Sequence, residues 1–81
     1  MNNNLQAIIR TAHICMARAM DGDQNAFVAA RFNLDLALES LSDDKEERYA
    51  QRIAQIADEE IDEGRLGVAL VYLKSADRWL E

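Results

Sequence analysis

The residues best suited to chemistry include an oxygen-rich run, in which Asp21, Asp23 and Asn25 are spaced like the opening of an EF-hand calcium loop. In such a loop, carboxylate and amide oxygens at alternate positions converge on the ion. The sixth position would be Ala26 where the turn needs glycine, and the twelfth would be Phe32 where a bidentate glutamate is needed. The run therefore predicts a turn in which Asp23 caps the next helix, and not a metal site.

His13 and Cys15 are the single imidazole and the single thiol of the chain. Two residues apart on a helix, they point about 200° apart and cannot act as a pair. No second His or Cys is present to build a zinc site, and there is no glycine-rich phosphate loop. The sequence therefore predicts no catalytic residue, no metal, no cofactor and no enzyme activity, with His13 as a boundary residue beside the core.

An acidic run near the end of the third predicted helix breaks two local rules. It places negative charge at a helix C-terminus, and it stacks like charges four residues apart. The run consists of Asp58, Glu59, Glu60, Asp62 and Glu63. Two interpretations remain open: a solvated face in which Asp62 or Glu63 caps the next helix and pairs with Arg65, or a surface for a basic partner.

Glu60 differs from its acidic neighbours, because a helical projection puts it among Tyr49, Ile53 and Ile56. An unpaired buried carboxylate is costly. Glu60 must therefore find an arginine or histidine within the fold, wait for a partner, or lie at the edge of the apolar stripe. We expect the edge.

The chain that positions these residues is short and acidic. Its 81 residues carry a net charge of -6 and are 49% apolar, which favours one hydrophobic core and a single domain over residues 1–81. The charge argues against direct binding to nucleic acid or to an anionic membrane. A lone cysteine and an N-terminal segment interrupted by Arg10 and His13, without a signal peptide or membrane span, favour the cytoplasm.

The absence of proline and the turn signals at residues 21–23, 42–44 and 64 predict four helices, at 4–20, 24–41, 44–63 and 65–80. Asp43 and Glu46 are spaced as a capping box for the third helix. Short connections force neighbouring helices to run antiparallel. The expected fold is all-α, with four helices forming two packed antiparallel helical hairpins, a small helical bundle.

Apolar residues at helical spacing predict one buried stripe on each helix. The predicted core is Leu5, Ile8, Ile9, Ala12, Met16, Ala19, Phe27, Ala30, Leu34, Ala37, Leu38, Leu41, Tyr49, Ile53, Ile56, Ala57, Ile61, Leu66, Ala69, Leu70, Leu73, Ala76 and Leu80. Ala30, Leu34 and Ala37 recur 39 residues later as Ala69, Leu73 and Ala76. The second half thus resembles helix B of a tetratricopeptide repeat, but that family repeats every ~34 residues, and its large aromatic and small residues are missing from the first helix of each pair here. We interpret the recurrence as hairpin geometry.

The second and fourth helices are apolar nearly all round, which leaves a surplus stripe on each. The surplus residues are Val28, Phe32 and Leu36 on the second helix, and Val68, Val71, Tyr72 and Trp79 on the fourth. Exposed aliphatic and aromatic patches of this kind mark interfaces. The stripes are covered by a second copy of the chain or by a different protein, unless the fourth helix lies in a groove and Trp79 folds over the end of the core.

These features predict a non-enzymatic protein-interaction module, such as a small acidic adaptor, inhibitor or host-blocking protein. We expect a homodimer built through the surplus stripes, which presents the acidic run to another protein with a basic surface. The alternatives are a nucleic-acid-mimicking inhibitor and a structural subunit or assembly chaperone. A direct grip on nucleic acid through Arg10 and Arg18 is weaker, because two arginines make a poor footprint.

Overall fold

The computed structural model describes residues 3–81, so residues 1 and 2 of the predicted domain lie outside the described range. Four helices fill most of it: α1 (Asn3–Met20), α2 (Gln24–Glu39), α3 (Lys45–Asp62) and α4 (Leu66–Trp79). Each boundary lies within two residues of its predicted position. No helix in residues 3–81 combines the length and apolar character that a membrane crossing requires.

The first and third connections end a helix in the same way. Gly22 and Gly64 have φ angles of 101° and 79°, a left-handed conformation that glycine adopts without a side-chain clash. After Gly64, the backbone N–H of Arg65 donates to the carbonyl of Glu60 at 2.9 Å, and the N–H of Gly64 donates to Ile61. This pair of bonds is a Schellman motif, which folds Arg65 back over the last turn of α3.

The caps agree with the sequence at α2 and differ from it at α3. As predicted, the carboxylate of Asp23 caps α2 by accepting the N–H of Ala26 at 3.0 Å. At α3 the cap is Asp44, which accepts the N–H groups of Glu46 and Glu47, so the predicted Asp43 cap is wrong by one residue.

The start of α4 also differs from the prediction. Neither Asp62 nor Glu63 caps this helix: its N-cap is Arg65, which makes no side-chain capping bond. The reason is that Asp62 ends α3 and Glu63 is the C-cap of that helix.

The helices form a closed ring. The α1/α2 and α3/α4 hairpins pack most tightly, α1 also packs on α4, and α2 touches α3 more loosely. The predicted fold class is therefore confirmed as a small all-α bundle of two antiparallel hairpins. In this ring α2 and α4 are diagonal, so their outward faces point away from each other.

Small residues let the helices approach closely in the core. The recurring triplets are fully buried: Ala30, Leu34 and Ala37 on α2, and Ala69, Leu73 and Ala76 on α4. The predicted core of α1 and α4 is confirmed as buried or half-buried throughout.

Three predicted core residues are wrong. Leu41 is 96% exposed, because α2 ends at Glu39 and the side chain lies beyond the bundle. On α3, Tyr49 and Ile56 are also exposed. The residues that α3 buries are Glu47, Ala50, Ala54, Ala57 and Ile61. Three alanines therefore define most of the inner face of α3, together with Ile61, while Tyr49 and Ile56 lie on the flank.

Candidate protein-binding surface

The structure divides the predicted acidic run between two sides of α3. Asp58 and Asp62 lie one turn apart on the side that faces α2, where Arg31 bonds Asp62 and approaches Asp58. Glu59 follows Asp58 and contributes to the same electrostatic environment. Glu60 points toward the start of α4, and Glu63 lies near Arg65 on the same side. The five carboxylates therefore do not form one face.

On the α2 side the carboxylates form a cluster that we call the acidic seam, consisting of Asp35 on α2 and Asp58, Glu59 and Asp62 on α3. Arg31 Nη2 lies 3.0 Å from Asp62 Oδ1 and 3.6 Å from Asp58 Oδ1. Arg31 thus pairs with two of the four carboxylates, and the seam with its arginine has a net charge of -3 (+1 for Arg31, -4 for the four acids).

Asp58 is the least satisfied member of the acidic seam. Its Oδ1 atom is buried and accepts no hydrogen bond from any residue in the described range. Burial raises the pKa of this carboxyl above its ordinary value, Arg31 opposes the rise, and the charges of Asp62, Asp35 and Glu59 add to it. A buried carboxylate without a full set of partners costs stability.

Glu60 pairs with an arginine within the fold, which is one of the outcomes considered for it. The expected outcome was a position at the edge of the apolar stripe, and the side chain is half-buried. Arg65 holds it in a two-point pair, with Nε–Oε2 and Nη2–Oε1 distances of 2.5 and 3.3 Å. The hydrogen bond from Arg65 lowers the pKa of Glu60, and burial opposes this only in part. The sequence paired Arg65 with Asp62 or Glu63; the Schellman turn places it over Glu60 instead.

The surplus residues of α2 form one exposed ridge, Val28, Phe32 and Leu36, which we call the α2 ridge. Val28 is 67% exposed, Phe32 is 63% exposed, and Leu36 is less exposed, at 38%. The ridge is exposed because it lies about 200° around the helix from the buried Ala30 and Leu34. Arg31 and Asp35 are chain neighbours of Phe32 and Leu36, so the acidic seam borders the ridge.

The surplus residues of α4 do not form one stripe. Val68 and Val71 point outward and are exposed, whereas Tyr72 is half-buried and packs against the core. Trp79 is turned toward α3, where its ring packs on Tyr49 with centroids 4.5 Å apart. Since α2 and α4 are diagonal, a homodimer that covered both surplus stripes would need two separate interfaces.

Two buried carboxylates, Glu47 and Asp77, were missed in the sequence. Asp77 on α4 is only 5% exposed. Its Oδ1 and Oδ2 atoms lie 3.2 and 3.4 Å from Arg10 Nε, and Oδ2 also lies 3.3 Å from His13 Nδ1. Its position four residues after Leu73, on the buried stripe of α4, was the available signal. His13 is therefore a boundary residue, as predicted, with a specific partner.

Cys15 is free and half-buried, and it packs against the core. Within residues 3–81, no group of three or more His, Cys, Asp or Glu side chains is placed to hold a metal ion. The surfaces that remain for recognition are the α2 ridge with its acidic border and the exposed flank of α3.

No family model matches the chain, and no curated protein and no solved structure is significantly similar to it.

Proposed function

We propose that this chain is a non-enzymatic protein-binding module that presents the α2 ridge and the acidic seam as one surface. The partner is a different protein with an apolar groove or helix face rimmed by lysine and arginine. The observation that carries the proposal is that exposed Phe32 follows Arg31 on α2, beside a seam of four carboxylates of which Arg31 pairs with two.

The α2 ridge supplies the holding energy in this proposal. Val28, Phe32 and Leu36 repeat every four residues and so follow one line along the helix. A partner groove that covers Phe32 alone gains about 1.5–3 kcal/mol from its burial. Aromatic residues at the centre of such a patch are typical hot spots of binding.

The acidic seam supplies orientation and speed of encounter. Carboxylates beside an apolar ridge attract a basic rim, and this attraction accelerates association and selects against acidic partners. Asp58 adds a further reason. In the free protein, burial raises the pKa of Asp58, and repulsion from Asp62 and Asp35 adds to the rise. A cation that lies across the seam relieves this repulsion.

A second copy of the chain fits this surface less well than a basic protein does. A two-fold dimer brings the same patch of both copies together. Here each patch would carry the net charge of -3 of the acidic seam, and like charges at an interface cost binding energy. The predicted self-association through α2 therefore ranks below a foreign partner in this proposal.

The nucleic-acid-mimic alternative is weakened by the internal arginines. Such a mimic needs carboxylates spaced like phosphates along one face. Arg31 and Arg65 pair with Asp62 and Glu60, and the remaining acids are divided between two sides of α3. The charge offered to a DNA-binding groove is correspondingly smaller.

A designed pair of peptides tests the proposal. One is an amphipathic helix whose leucine face is flanked by lysines, and the other has the same leucines flanked by glutamates. We expect the lysine peptide to bind measurably by calorimetry, to weaken as salt shortens the Debye length from about 10 Å, and to bind at least about tenfold more tightly than the glutamate peptide. Equal affinity of the two peptides would show that the acidic seam plays no part.

Two matched variants locate the surface. Phe32 and Val71 are 63% and 60% exposed on diagonal helices, so an aspartate at either position disturbs the fold little. Phe32→Asp is expected to weaken the lysine peptide at least about tenfold, and Val71→Asp is expected to leave it unchanged. Equal losses in both variants would contradict the placement of the site.

Light scattering separates a foreign partner from a second copy. We expect the wild-type chain to run as a monomer at low and at high salt, with the same mass for Phe32→Asp. A wild-type dimer that Phe32→Asp dissociates would mean that a second copy covers the α2 ridge, and the proposal of a foreign partner would be overturned.

A further inference from the structure

The exposed flank of α3 carries a second feature that the proposed protein-binding surface does not use. Between the start of α3 and the end of α4 lies an open groove of about 530 Å³. Its lining includes Arg48, Tyr49 and Arg52 from α3 and Trp79 from α4. The volume falls in the range of small-molecule sites, roughly 300–1,000 Å³.

The two arginines of this groove are available for a ligand. Arg48 and Arg52 are one turn apart on α3, both are exposed, and neither forms an ion pair with any residue in the described range. The Cβ atoms of two helical residues one turn apart are about 6 Å from each other. Two guanidinium groups on such a pair can close on one phosphate group, which arginine binds through paired N–H donors.

The arginines also border a second groove of about 600 Å³, which runs along α3 toward Leu38 of α2 and includes Gln51 and Gln55. Arg48 and Arg52 therefore stand between two depressions on the same flank. An anion held by them is reached from both sides. The amide of Gln55 lies close by to donate a further hydrogen bond, whereas Gln51 already donates to the carbonyls of Ala37 and Ser40.

The aromatic pair forms the other half of the site. Tyr49 and Trp79 pack against each other at 4.5 Å, with their ring planes tilted by 44°, yet each remains about half exposed, at 49% and 47%. The pair is thus held in place by its own contact while part of its surface stays open. A planar ring that stacks on an aromatic side chain gains binding free energy, because every such ring offers a flat apolar face.

We propose that this groove binds a small planar aromatic ring that carries a phosphate group, with the ring on Tyr49 and Trp79 and the phosphate on Arg48 and Arg52. A mononucleotide has this chemistry. Lys45 at the near end of α3 adds a third cation to the lining, and the carboxylates of Asp43 and Glu46 at the same end are acceptors for ring amino or ribose hydroxyl groups.

The same ring and phosphate occur in a free nucleotide and in a nucleic-acid strand, and the charge of the chain favours the free form. The chain carries a net charge of -6, which repels a polyanion along its whole length. A mononucleotide brings only about two negative charges to a site with unpaired arginines.

Adenosine 5′-monophosphate is the probe, and the indole N–H signal of Trp79 in a nitrogen-labelled sample is the readout. The chain holds a single tryptophan, so this signal is unambiguous. We expect a saturable shift with a dissociation constant of about 1 mM or lower. Adenosine and inorganic phosphate, each with half of the chemistry, are expected to bind at least about tenfold more weakly.

Variants on the surface make the assignment specific without disturbing the core. The double change Arg48→Gln and Arg52→Gln is expected to weaken the nucleotide at least about tenfold, and Arg18→Gln on α1, an exposed arginine outside the groove, is expected to have no effect. For Trp79→Leu, calorimetry replaces the indole signal, and a similar loss of affinity is expected.

Three results would overturn the proposal. They are a shift that does not saturate, equal affinity for inorganic phosphate, and unchanged affinity in the double arginine variant. A short oligodeoxyadenylate that bound more tightly than the mononucleotide would contradict the assignment to a free nucleotide. None of these results bears on the α2 ridge, because the ridge shares no residue with either groove; Glu59 of the acidic seam lines the second groove alone.

Discussion

Two seams of the bundle each hold a carboxylate with little access to solvent, the buried Asp77 and the half-buried Asp58, and they differ in the groups that surround it. Between α1 and α4, Asp77 lies within hydrogen-bonding distance of Arg10 and His13, at 3.2 and 3.3 Å. Between α2 and α3, Asp58 has a buried oxygen that accepts no hydrogen bond from the described residues, with Arg31 at 3.6 Å and three further carboxylates around it. The first seam satisfies its buried charge, and the second does not.

Under the proposed function, the difference separates a seam that only holds the fold together from one that also meets a partner. A satisfied charge pair between two well-packed helices fixes their alignment. An under-partnered charge is a local cost, and such costs are commonest where a surface serves a partner. In this protein the cost coincides with the looser packing of α2 on α3 and with the exposed α2 ridge.

Removal of the satisfied charge is expected to give the largest effect on stability. Asp77→Ala removes the acceptor that Arg10 and His13 share, and leaves Arg10 only its longer contact with Glu81 at 3.6 Å. Since Arg10 stays half exposed and can be hydrated, we expect a loss of about 2 kcal/mol in the free energy of unfolding, measured by urea denaturation. The control is Asp43→Ala, which changes an exposed aspartate in a connection. An equal loss of stability in this control would show that the contacts of Asp77 are not the cause of its effect.

Removal of the unsatisfied charge is expected to act in the opposite direction. Asp58→Asn keeps the shape of the side chain and removes a charge that is poorly solvated, so we expect a gain of about 1 kcal/mol at neutral pH. The same urea series measures it. Glu59→Gln, which removes an exposed charge one residue away, should change stability less.

The gain from Asp58→Asn should depend on pH in a defined direction. Because burial raises the pKa of Asp58, the folded chain binds this proton more tightly than the unfolded chain. Wild-type Asp58 therefore costs nothing below the ordinary aspartate pKa, and its cost appears as pH rises through the raised folded-state pKa. A gain that is the same at acidic and neutral pH would show that burial of the charge is not its cause.

The smallest effect on stability is expected in the connection between α2 and α3. Leu41 is 96% exposed, so Leu41→Ser should change the free energy of unfolding by no more than about 0.5 kcal/mol. Leu38→Ser, at a half-buried position that packs against the core, is expected to cost more. Thermal unfolding of both variants checks the contrast, and a large loss at Leu41 would mean that this residue is covered in solution.

The fold was predictable because its determinants are local. The turn at Gly22, the cap at Asp23 and the stripes of α1 and α4 depend on residues a few positions apart. The inner face of α3 was not predictable in the same way. Alanine is compatible with either side of a helix. The prediction therefore followed the larger Tyr49 and Ile56, which lie on the exposed flank.

The candidate site was predictable only in part. An excess of apolar residues on α2 was enough to predict that Phe32 lies outside the core, as the structure places it. The approach of Arg31 to Asp58 depends on how α2 and α3 are rotated against each other, and no local spacing encodes that rotation. Asp77 could have been noticed as a carboxylate on a buried stripe, but its partners Arg10 and His13 are more than sixty positions away.

The central claim is that the α2 ridge and the acidic seam act as one surface for a basic partner. The most direct test is to map the amide shifts of the nitrogen-labelled chain on titration with the lysine-flanked peptide. We expect the largest shifts together at Val28, Phe32 and Leu36 and at Asp58 and Asp62, with Val71 unmoved. Shifts confined to α4, or to the acidic residues without the ridge, would contradict the account.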